Sequence, residues 1–327
     1  MHGTKAIIDK NLSSQLESAR ELSDKLTQMG CATPERLRWV SEWRSLGLPQ
    51  KYPADVEKQD LYVALPGTEI PIRIYRSKER LFSQAPRRLM MFFHGGGWVS
   101  GSLATHDLLC AHLAAFTGFV VASVHYRRAP ENPFPAPLHD CMNATGWAVN
   151  NMELLGATDK SGVVLSGDSA GAHLALSTAI ECLGNRHIRC AALLLFYPPV
   201  APDLNTVSKR VFAEGPGLTL AAMDDFWKAY VGTCDEHPKS PALFPLAFSE
   251  LARLPPTVLY TAQCDLLRDE GLLLSDALRR EGVAVRYECA RAMPHGFARM
   301  LTASSAASGF VLQACRDLEH LLEGGKS

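Results

Sequence analysis

Residues 161–171 read SGVVLSGDSAG, an apolar run that leads directly into Gly167-Asp168-Ser169-Ala170-Gly171. The apolar run predicts a buried strand, and residues 172–176 (AHLAL) begin a helical pattern. A Gly-x-Ser-x-Gly motif between a strand and a helix is typical of a nucleophile elbow, a strained turn that raises the serine hydroxyl above the sheet. The glycines leave room for the turn because they carry no side chain. This stretch therefore predicts an α/β fold with Ser169 as its nucleophile.

A second glycine motif lies upstream, where His94-Gly95-Gly96-Gly97-Trp98 follows the strand-like residues 88–93 (RLMMFF). Acyl transfer creates a negatively charged oxygen in the transition state, and preorganised N–H donors stabilise it. Glycines let backbone N–H groups approach such an oxygen closely. We therefore predict an oxyanion hole formed by Gly95, Gly96 and Ala170, the residue after the nucleophile. The alternative is an ordinary glycine turn after a strand.

An activated serine requires a base, and three histidines lie well beyond the elbow: His237, His295 and His320. His295 lies in a loop-like MPHGF segment after the alternating residues 283–288 (VAVRYE), whereas His237 lies in a polar stretch typical of a surface loop. His320 falls on the solvated face of an amphipathic C-terminal helix. These contexts favour His295 as the base.

The acid that orients the base should follow a strand and precede the histidine in the chain. Residues 256–261 (PTVLYT) predict that strand, and Asp265 is the first carboxylate after it. Asp269 is the reserve candidate, although it and Glu270 are better placed to cap the next helix. Asp168 is adjacent to the serine in sequence, so its side chain should point away and serve a structural purpose.

These motifs resemble those of the hormone-sensitive lipase-like family of α/β-hydrolase esterases, the bacterial family IV type. The matching segments occur in the family's order between about residues 60 and 320: HGGGW at 94–98, YRRAPE at 126–131, PFPA at 133–136, Asp140, GDSAG at 167–171, DLLRDEG at 265–271 and HGF at 295–297. Two positions depart from the pattern. Arg128 stands where the family usually has leucine, and Leu266 replaces the usual proline after the acid.

The resemblance implies an α/β-hydrolase fold, with a mostly parallel central sheet flanked by helices and covered by a helical cap. It divides the chain into a cap segment at 1–50, a first core part at 51–202, an inserted cap segment at 203–241 and a second core part at 242–327. Alternation of strands and helices after residue 75 agrees with such a sheet.

Both expected cap segments contain helical apolar patterns. In the first, Trp39, Trp43 and Leu46 form a stripe that core packing alone would also explain. In the second, Phe226 and Trp227 are large enough to wall an acyl pocket, and Trp98 follows the oxyanion loop closely enough to bound one side. We predict substrate contacts for Trp98, Phe226 and Trp227, with packing inside the cap as the alternative.

Composition agrees with a water-soluble enzyme. The formal net charge of −1 over 327 residues gives no reason to expect a nucleic-acid partner. No apolar run reaches the roughly eighteen residues of a spanning helix, so no membrane insertion is expected. The N-terminus lacks an apolar signal core, and nine scattered cysteines favour reduced thiols in a cytoplasm. We expect no metal and no cofactor, and a monomer or homodimer.

The resemblance implies hydrolysis of short- to medium-chain acyl esters through an acyl-enzyme on Ser169. An amidase or formamidase would use the same residues with a nitrogen leaving group. A small-molecule-binding protein on the same fold is a third possibility, but the receptors of that kind lose the histidine that is retained here at His295. The sequence alone leaves the natural substrate open.

Overall fold

The computed structural model describes residues 8–81, 85–232 and 240–324. Eight strands form one sheet in the order β1-β2-β4-β3-β5-β6-β7-β8. Their bounds are β1 (Val56–Leu65), β2 (Thr68–Ser77), β3 (Leu89–Phe93), β4 (Val120–Val124), β5 (Val163–Asp168), β6 (Cys190–Phe196), β7 (Thr257–Cys264) and β8 (Val285–Pro294). Strands β1 and β2 are antiparallel to their neighbours, whereas β3 to β8 are parallel. The mostly parallel sheet expected from the sequence is confirmed.

The antiparallel start of the sheet follows from a two-residue turn. Pro66 and Gly67 connect β1 to β2, and Gly67 adopts a φ of 74° that favours glycine. The pair β2 and β4 is also antiparallel. The neighbours from β4 to β8 are parallel, so they need longer crossover connections, which the helices supply.

Helices cover both faces of the sheet. They are α1 (Lys10–Gln28), α2 (Thr33–Leu46), α3 (Lys78–Leu81), α4 (Asp107–Thr117), α5 (Ala136–Asn150), α6 (Met152–Leu155), α7 (Ala170–Cys182), α8 (Val207–Val211), α9 (Leu220–Val231), α10 (Arg268–Arg280) and α11 (Ser305–Leu322). Alternate residues of β3 bury against opposite layers: Met91 and Phe93 share a core with α5, α7 and α10, while Met90 and Phe92 share one with α4 and α11. No helix of the described residues is long and apolar enough to cross a membrane.

The N-terminal helices α1 and α2 pack against each other and form the N-terminal cap. The expected apolar stripe on α2 does not lie inside this cap: Trp39, Trp43 and Leu46 are 61%, 41% and 79% exposed. The face of α2 that lines the cavity carries Leu37, Val40, Ser41 and Arg44 instead. The helix is therefore rotated relative to the orientation that hydrophobic burial alone would predict.

The residues after β6 are fixed to the core by two carboxylates of α10. Asp269 Oδ2 accepts a hydrogen bond from Ser208 N at 2.8 Å, at the start of α8. The buried Glu270 accepts one from Val200 N at 2.9 Å and pairs with Lys209 Nζ at 2.8 Å. Asp269 and Glu270 lie in the first turn of α10, as predicted, and also hold the connection from β6 to α8.

Parallel pairing brings the carboxyl ends of β3, β5, β7 and β8 to one edge of the sheet. The glycine loop follows β3, Ser169 follows β5, Asp265 follows β7 and His295 follows β8. In open α/β sheets this edge is the usual place for a ligand site. His320 lies exposed on α11, as expected, and His237 lies outside the described residues.

Candidate active site

Ser169 occupies the sharp turn between β5 and α7. Its backbone has φ 54° and ψ −124°, which a non-glycine residue rarely adopts. Space around the turn is minimal, because a Cβ atom added at Gly171 would overlap the carbonyl oxygen of Phe93. Ser169 N donates to Phe196 O at 2.8 Å, which holds the strained turn against the next strand. The glycines of the motif therefore meet the steric requirement expected from the sequence.

Ser169, His295 and Asp265 form one hydrogen-bonded chain. Ser169 Oγ lies 2.9 Å from His295 Nε2, and His295 Nδ1 lies 2.7 Å from Asp265 Oδ2. The other carboxylate oxygen of Asp265 accepts a hydrogen bond from Leu267 N at 3.0 Å. Tyr197 packs against the imidazole, with ring centroids 4.8 Å apart. This geometry allows the imidazole to accept the serine proton while the buried carboxylate holds its opposite nitrogen.

The reserve acid is not part of this chain. Asp269 binds Ser208 N at 2.8 Å and the guanidinium of Arg268 at 2.9 Å instead. The structure therefore brings the first-choice residues together and leaves Asp269 to a structural task.

The glycine loop differs from the prediction in which N–H groups are free. Gly95 N donates to Asp168 Oδ1 at 2.8 Å, so it is not available to an oxyanion. The assignment of Gly95 as an oxyanion donor is corrected on this ground. Gly96 and Gly97 both line the cavity beside Ser169, and their N–H groups donate to no other group of the described residues.

Gly96, Gly97 and Ala170 line the cavity, and their N–H groups donate to no acceptor among the described residues. Ala170 begins α7, and the first N–H groups of a helix have no partner within it. The loop requires glycine at both positions: Gly96 has a φ of 121° and Gly97 a φ of 61°. A Cβ atom at Gly97 would also overlap the ring of Phe226 on α9.

The carboxylate of Asp168 binds the glycine loop (residues 94–98) and His106, which agrees with the structural purpose expected for it. His106 Nε2 lies 2.9 Å from the carboxylate oxygen that Gly95 also binds. Burial opposes ionisation of Asp168, but His106, Arg299 and the Gly95 N–H hold its pKa below the ordinary value. Burial also lowers the pKa of His106, although Asp168 acts in the opposite direction. The ionised carboxylate of Asp168 therefore fixes the position of Gly95 by accepting a hydrogen bond from its N–H group.

Arg128, which departs from the family pattern, contacts the segment that follows the glycine loop. Its Nη1 donates to the carbonyl oxygen of Gly101 at 2.8 Å. Arg38 of α2 donates from Nε to Val99 O at 2.9 Å, and it pairs with Glu131 at 2.6 Å. The loop is thus held by the core and by the cap together.

A cavity of about 820 Å³ opens above the triad. Its lining includes Ser169 and His295, Gly96 and Gly97 of the glycine loop, residues of α1 and α2, and residues between 211 and 226. Of the three predicted substrate contacts, only Phe226 lines the cavity. A volume of this size is usual for a small-molecule site.

Trp98 and Trp227 lie behind the cavity wall, contrary to expectation. Trp98 stacks on Tyr230 with ring centroids 4.4 Å apart and contacts Trp227 at 4.5 Å. Both tryptophans pack edge-on against the buried His173. The backbone of Trp98 has a φ of 59°, and its side chain is fully buried in this aromatic cluster rather than in the cavity wall.

Sequence reasoning missed two charged residues of the cavity, Arg44 of α2 and Arg299 of the 3₁₀ turn Phe297–Met300. The sequence does indicate that Arg299 lies near the site, because it comes four residues after His295. Arg44 carried no such signal, because the tryptophans on the opposite face of α2 suggested a different inner surface.

Comparison with known proteins agrees with the geometry. Residues 90–299 match a family model described as alpha/beta hydrolase fold. Carboxylesterase NlhH of Mycobacterium tuberculosis is 32% identical over 286 residues, which cover 85% of this chain and 88% of that relative. Ethyl acetate hydrolase of Pseudomonas putida is 32% identical over 235 residues, covering 72% and 73%.

Among solved structures, a hyperthermophilic esterase from the archaeon Pyrobaculum calidifontis superimposes with a TM-score of 0.84 at 30% identity, covering 96% of this chain and 98% of that one. Fold, motif order and relatives lead to one assignment. The chain belongs to the hormone-sensitive lipase-like family of α/β-hydrolase esterases.

Proposed function

We propose that this carboxylic ester hydrolase is a serine carboxylesterase that acts on short- to medium-chain acyl esters through an acyl-enzyme on Ser169. The observation that carries the proposal is the hydrogen-bonded chain from Ser169 Oγ through His295 to Asp265, at 2.9 and 2.7 Å, on the floor of a cavity. A nucleophile, a base and an orienting acid within hydrogen-bond reach are the requirements of acyl transfer.

In the first half-reaction, Ser169 Oγ attacks the ester carbonyl carbon while His295 Nε2 takes the hydroxyl proton. The carbonyl oxygen becomes negative and accepts hydrogen bonds from the N–H groups of Gly96, Gly97 and Ala170. Asp265 stabilises the imidazolium that forms. His295 then gives its proton to the alkoxide, the alcohol leaves, and the acyl group remains on Ser169.

In the second half-reaction, a water molecule takes the place of the alcohol. His295 accepts one proton from the water as its oxygen attacks the acyl carbon, and returns that proton to Ser169 Oγ as the carboxylic acid leaves. The triad and the oxyanion donors suffice for both steps, so the proposed mechanism uses no metal and no cofactor.

Chain length should be limited by a cap of residues 1–50 and 203–241, of which 8–50, 203–232 and 240–241 are described. Phe226 lines the cavity on one side and α1 and α2 close another. Each methylene buried stabilises the complex by about 0.8 kcal/mol until the pocket is full. The catalytic efficiency should therefore rise from acetate to a maximum at about four to eight carbons and collapse by palmitate.

The test is turnover of p-nitrophenyl acetate, butyrate, octanoate and palmitate beside the matching anilides. Ser169→Ala should lower turnover by roughly a millionfold and abolish labelling by an organophosphate. Anilide hydrolysis in preference to ester hydrolysis would favour the amidase alternative. A binding protein without catalysis would show neither turnover nor labelling, and efficient triolein hydrolysis with interfacial activation would indicate a true lipase.

Cytoplasmic localisation is part of the same proposal. All eight cysteines in the described residues are free thiols, which supports a reducing compartment. We further propose a monomer or homodimer, which analytical ultracentrifugation of the full chain would distinguish.

A further inference from the structure

Two arginines line the cavity above the triad without a carboxylate partner. Arg44 and Arg299 both contribute to its wall, together with Ser169 and His295. Within the described residues, no carboxylate oxygen lies within 4.0 Å of either guanidinium. The mechanism proposed above uses neither side chain.

The contacts of the two arginines place them side by side. Arg299 Nη2 donates to Ser41 O of α2 at 3.4 Å, one helical turn before Arg44. Arg44 Nη2 in return lies 3.8 Å from the sulfur of Met300. Arg299 Nε is buried and has no hydrogen-bond partner. Most N–H donors of this arginine pair therefore have no hydrogen-bond acceptor among the described residues.

This arrangement is unfavourable for the empty protein. Burial, together with the neighbouring charge of Arg299, lowers the pKa of Arg44 to about 10. The charge of Arg299 also acts on Asp168, but that carboxylate already binds His106 and Gly95. Both arginines are partly exposed. A partly enclosed cation without an ion-pair partner costs stability, and an anionic group of a ligand in the cavity would offset that cost.

The orientation of α2 strengthens this argument. The helix exposes Trp39 and Trp43 to solvent while it turns Arg44 toward the cavity. Hydrophobic burial would favour the reverse. Of the other charged cavity residues, Glu17, Arg20 and Glu214 are exposed, and Asp168 is buried and already bonded to His106 and Gly95, so neither arginine has an ion pair among the described residues.

We infer that the cavity binds a carboxylate of the substrate through Arg44 and Arg299, so that the preferred substrates are esters with a free carboxylate beside the scissile bond. This inference rests on the proposed esterase function and specifies its substrate class. A guanidinium offers planar N–H pairs that match a carboxylate, and two of them fill its four acceptor positions. The carboxylate can belong to the acyl part or to the alcohol part.

Two matched pairs of substrates test the inference and separate these sources. Monoethyl glutarate against ethyl pentanoate places the charge on the acyl side, and 4-acetoxybutanoate against butyl acetate places it on the alcohol side. We expect kcat/KM to be higher for the charged member of one pair by roughly tenfold to hundredfold, as for one charge-assisted hydrogen bond.

Arg44→Gln and Arg299→Gln should each remove most of that preference, measured as the ratio of kcat/KM for the charged and neutral members of a pair, so that a general loss of activity cancels. Arg36→Gln is the matched control, because Arg36 lies on the same helix but bonds to Thr27 rather than lining the cavity. A purely structural role for Arg44 would lower the melting temperature of its variant, whereas an unpartnered functional arginine should not.

Titration of the Ser169→Ala protein with glutarate gives a readout that is independent of turnover. Binding that weakens in the Arg44→Gln background supports the inference even if no ester is hydrolysed, in which case only the proposed function fails. Hydrolysis of neutral esters without any charged-substrate preference overturns the inference and leaves the esterase proposal intact. Absence of both preference and glutarate binding also overturns it.

Discussion

Replacement of Asp265 by asparagine tests the proposed base through the hydrogen bonds of the acid. Each oxygen of Asp265 has its own donor: Oδ1 accepts from Leu267 N at 3.0 Å, and Oδ2 accepts from His295 Nδ1 at 2.7 Å. Asparagine has a single acceptor oxygen and an NH₂ group that only donates. One of the two donors must therefore lose its partner in the variant.

The backbone donor decides the orientation of the amide. Leu267 N is fixed in position and has no other acceptor there, so the asparagine oxygen should keep its place and the NH₂ group should face His295. The imidazole can pair with that NH₂ only through an unprotonated Nδ1. Its proton then resides on Nε2, the atom 2.9 Å from Ser169 Oγ, and the base has no lone pair for the serine proton.

The expected loss in kcat is about 10⁴, or about 5.4 kcal/mol, because both the tautomer and the stabilisation of the imidazolium are lost. Steady-state hydrolysis of p-nitrophenyl butyrate measures it, and circular dichroism checks that the fold is kept. Asp269→Asn is the control, since Asp269 bonds to Ser208 and Arg268 and should change kcat by less than about tenfold. A larger loss at Asp269 than at Asp265 would refute this reasoning.

Two further outcomes follow from the loop and from the cap. Gly97→Ala should lower kcat by up to about 10²-fold, the value of one oxyanion donor, because the new Cβ overlaps the Phe226 ring. The double variant with Phe226→Ala should recover part of this loss in kcat. If it does not, steric conflict with Phe226 is not the cause. The Arg38 guanidinium lowers the pKa of the Glu131 carboxyl to about 2, so this pair stabilises the folded state at pH values above the ordinary 4.5 and loses that contribution as the pH falls toward about 2. Since Glu131 is half exposed, the contribution should not exceed about 1 kcal/mol, and the difference in free energy of unfolding between wild type and Glu131→Gln should shrink steadily in urea titrations below about pH 4.5.

The central sheet could be predicted from the sequence because parallel strands are buried on both faces and appear as continuous apolar runs. Residues 88–93 and 161–166 show this pattern, and both become strands. The end of β8 could not be predicted in the same way. That strand continues to Pro294, through residues 288–291 (ECAR), because its pairing with β7 extends as far as Cys264.

The triad could also be predicted, since chain order and strand ends restrict the choice to few residues. The free donors of the glycine loop could not, because three consecutive glycines offer equivalent N–H groups. What distinguishes Gly95 is its hydrogen bond to Asp168, and that contact joins the ends of two strands that are distant in sequence. Likewise, the aromatic rings of Trp98 and Trp227 gave no sign of whether they face the cavity or each other.

The positions of the cap and of the proposed oxyanion donors are linked by direct contacts. Arg38 of α2 bonds to Val99, two residues after Gly97, and the ring of Phe226 on α9 closes against Gly97 itself. Helices α2 and α9 also line the cavity, so a substrate that shifts either of them shifts the donors as well. Binding energy from the remote part of the substrate can therefore improve the geometry of the transition state, and truncated substrates should lose kcat as well as affinity.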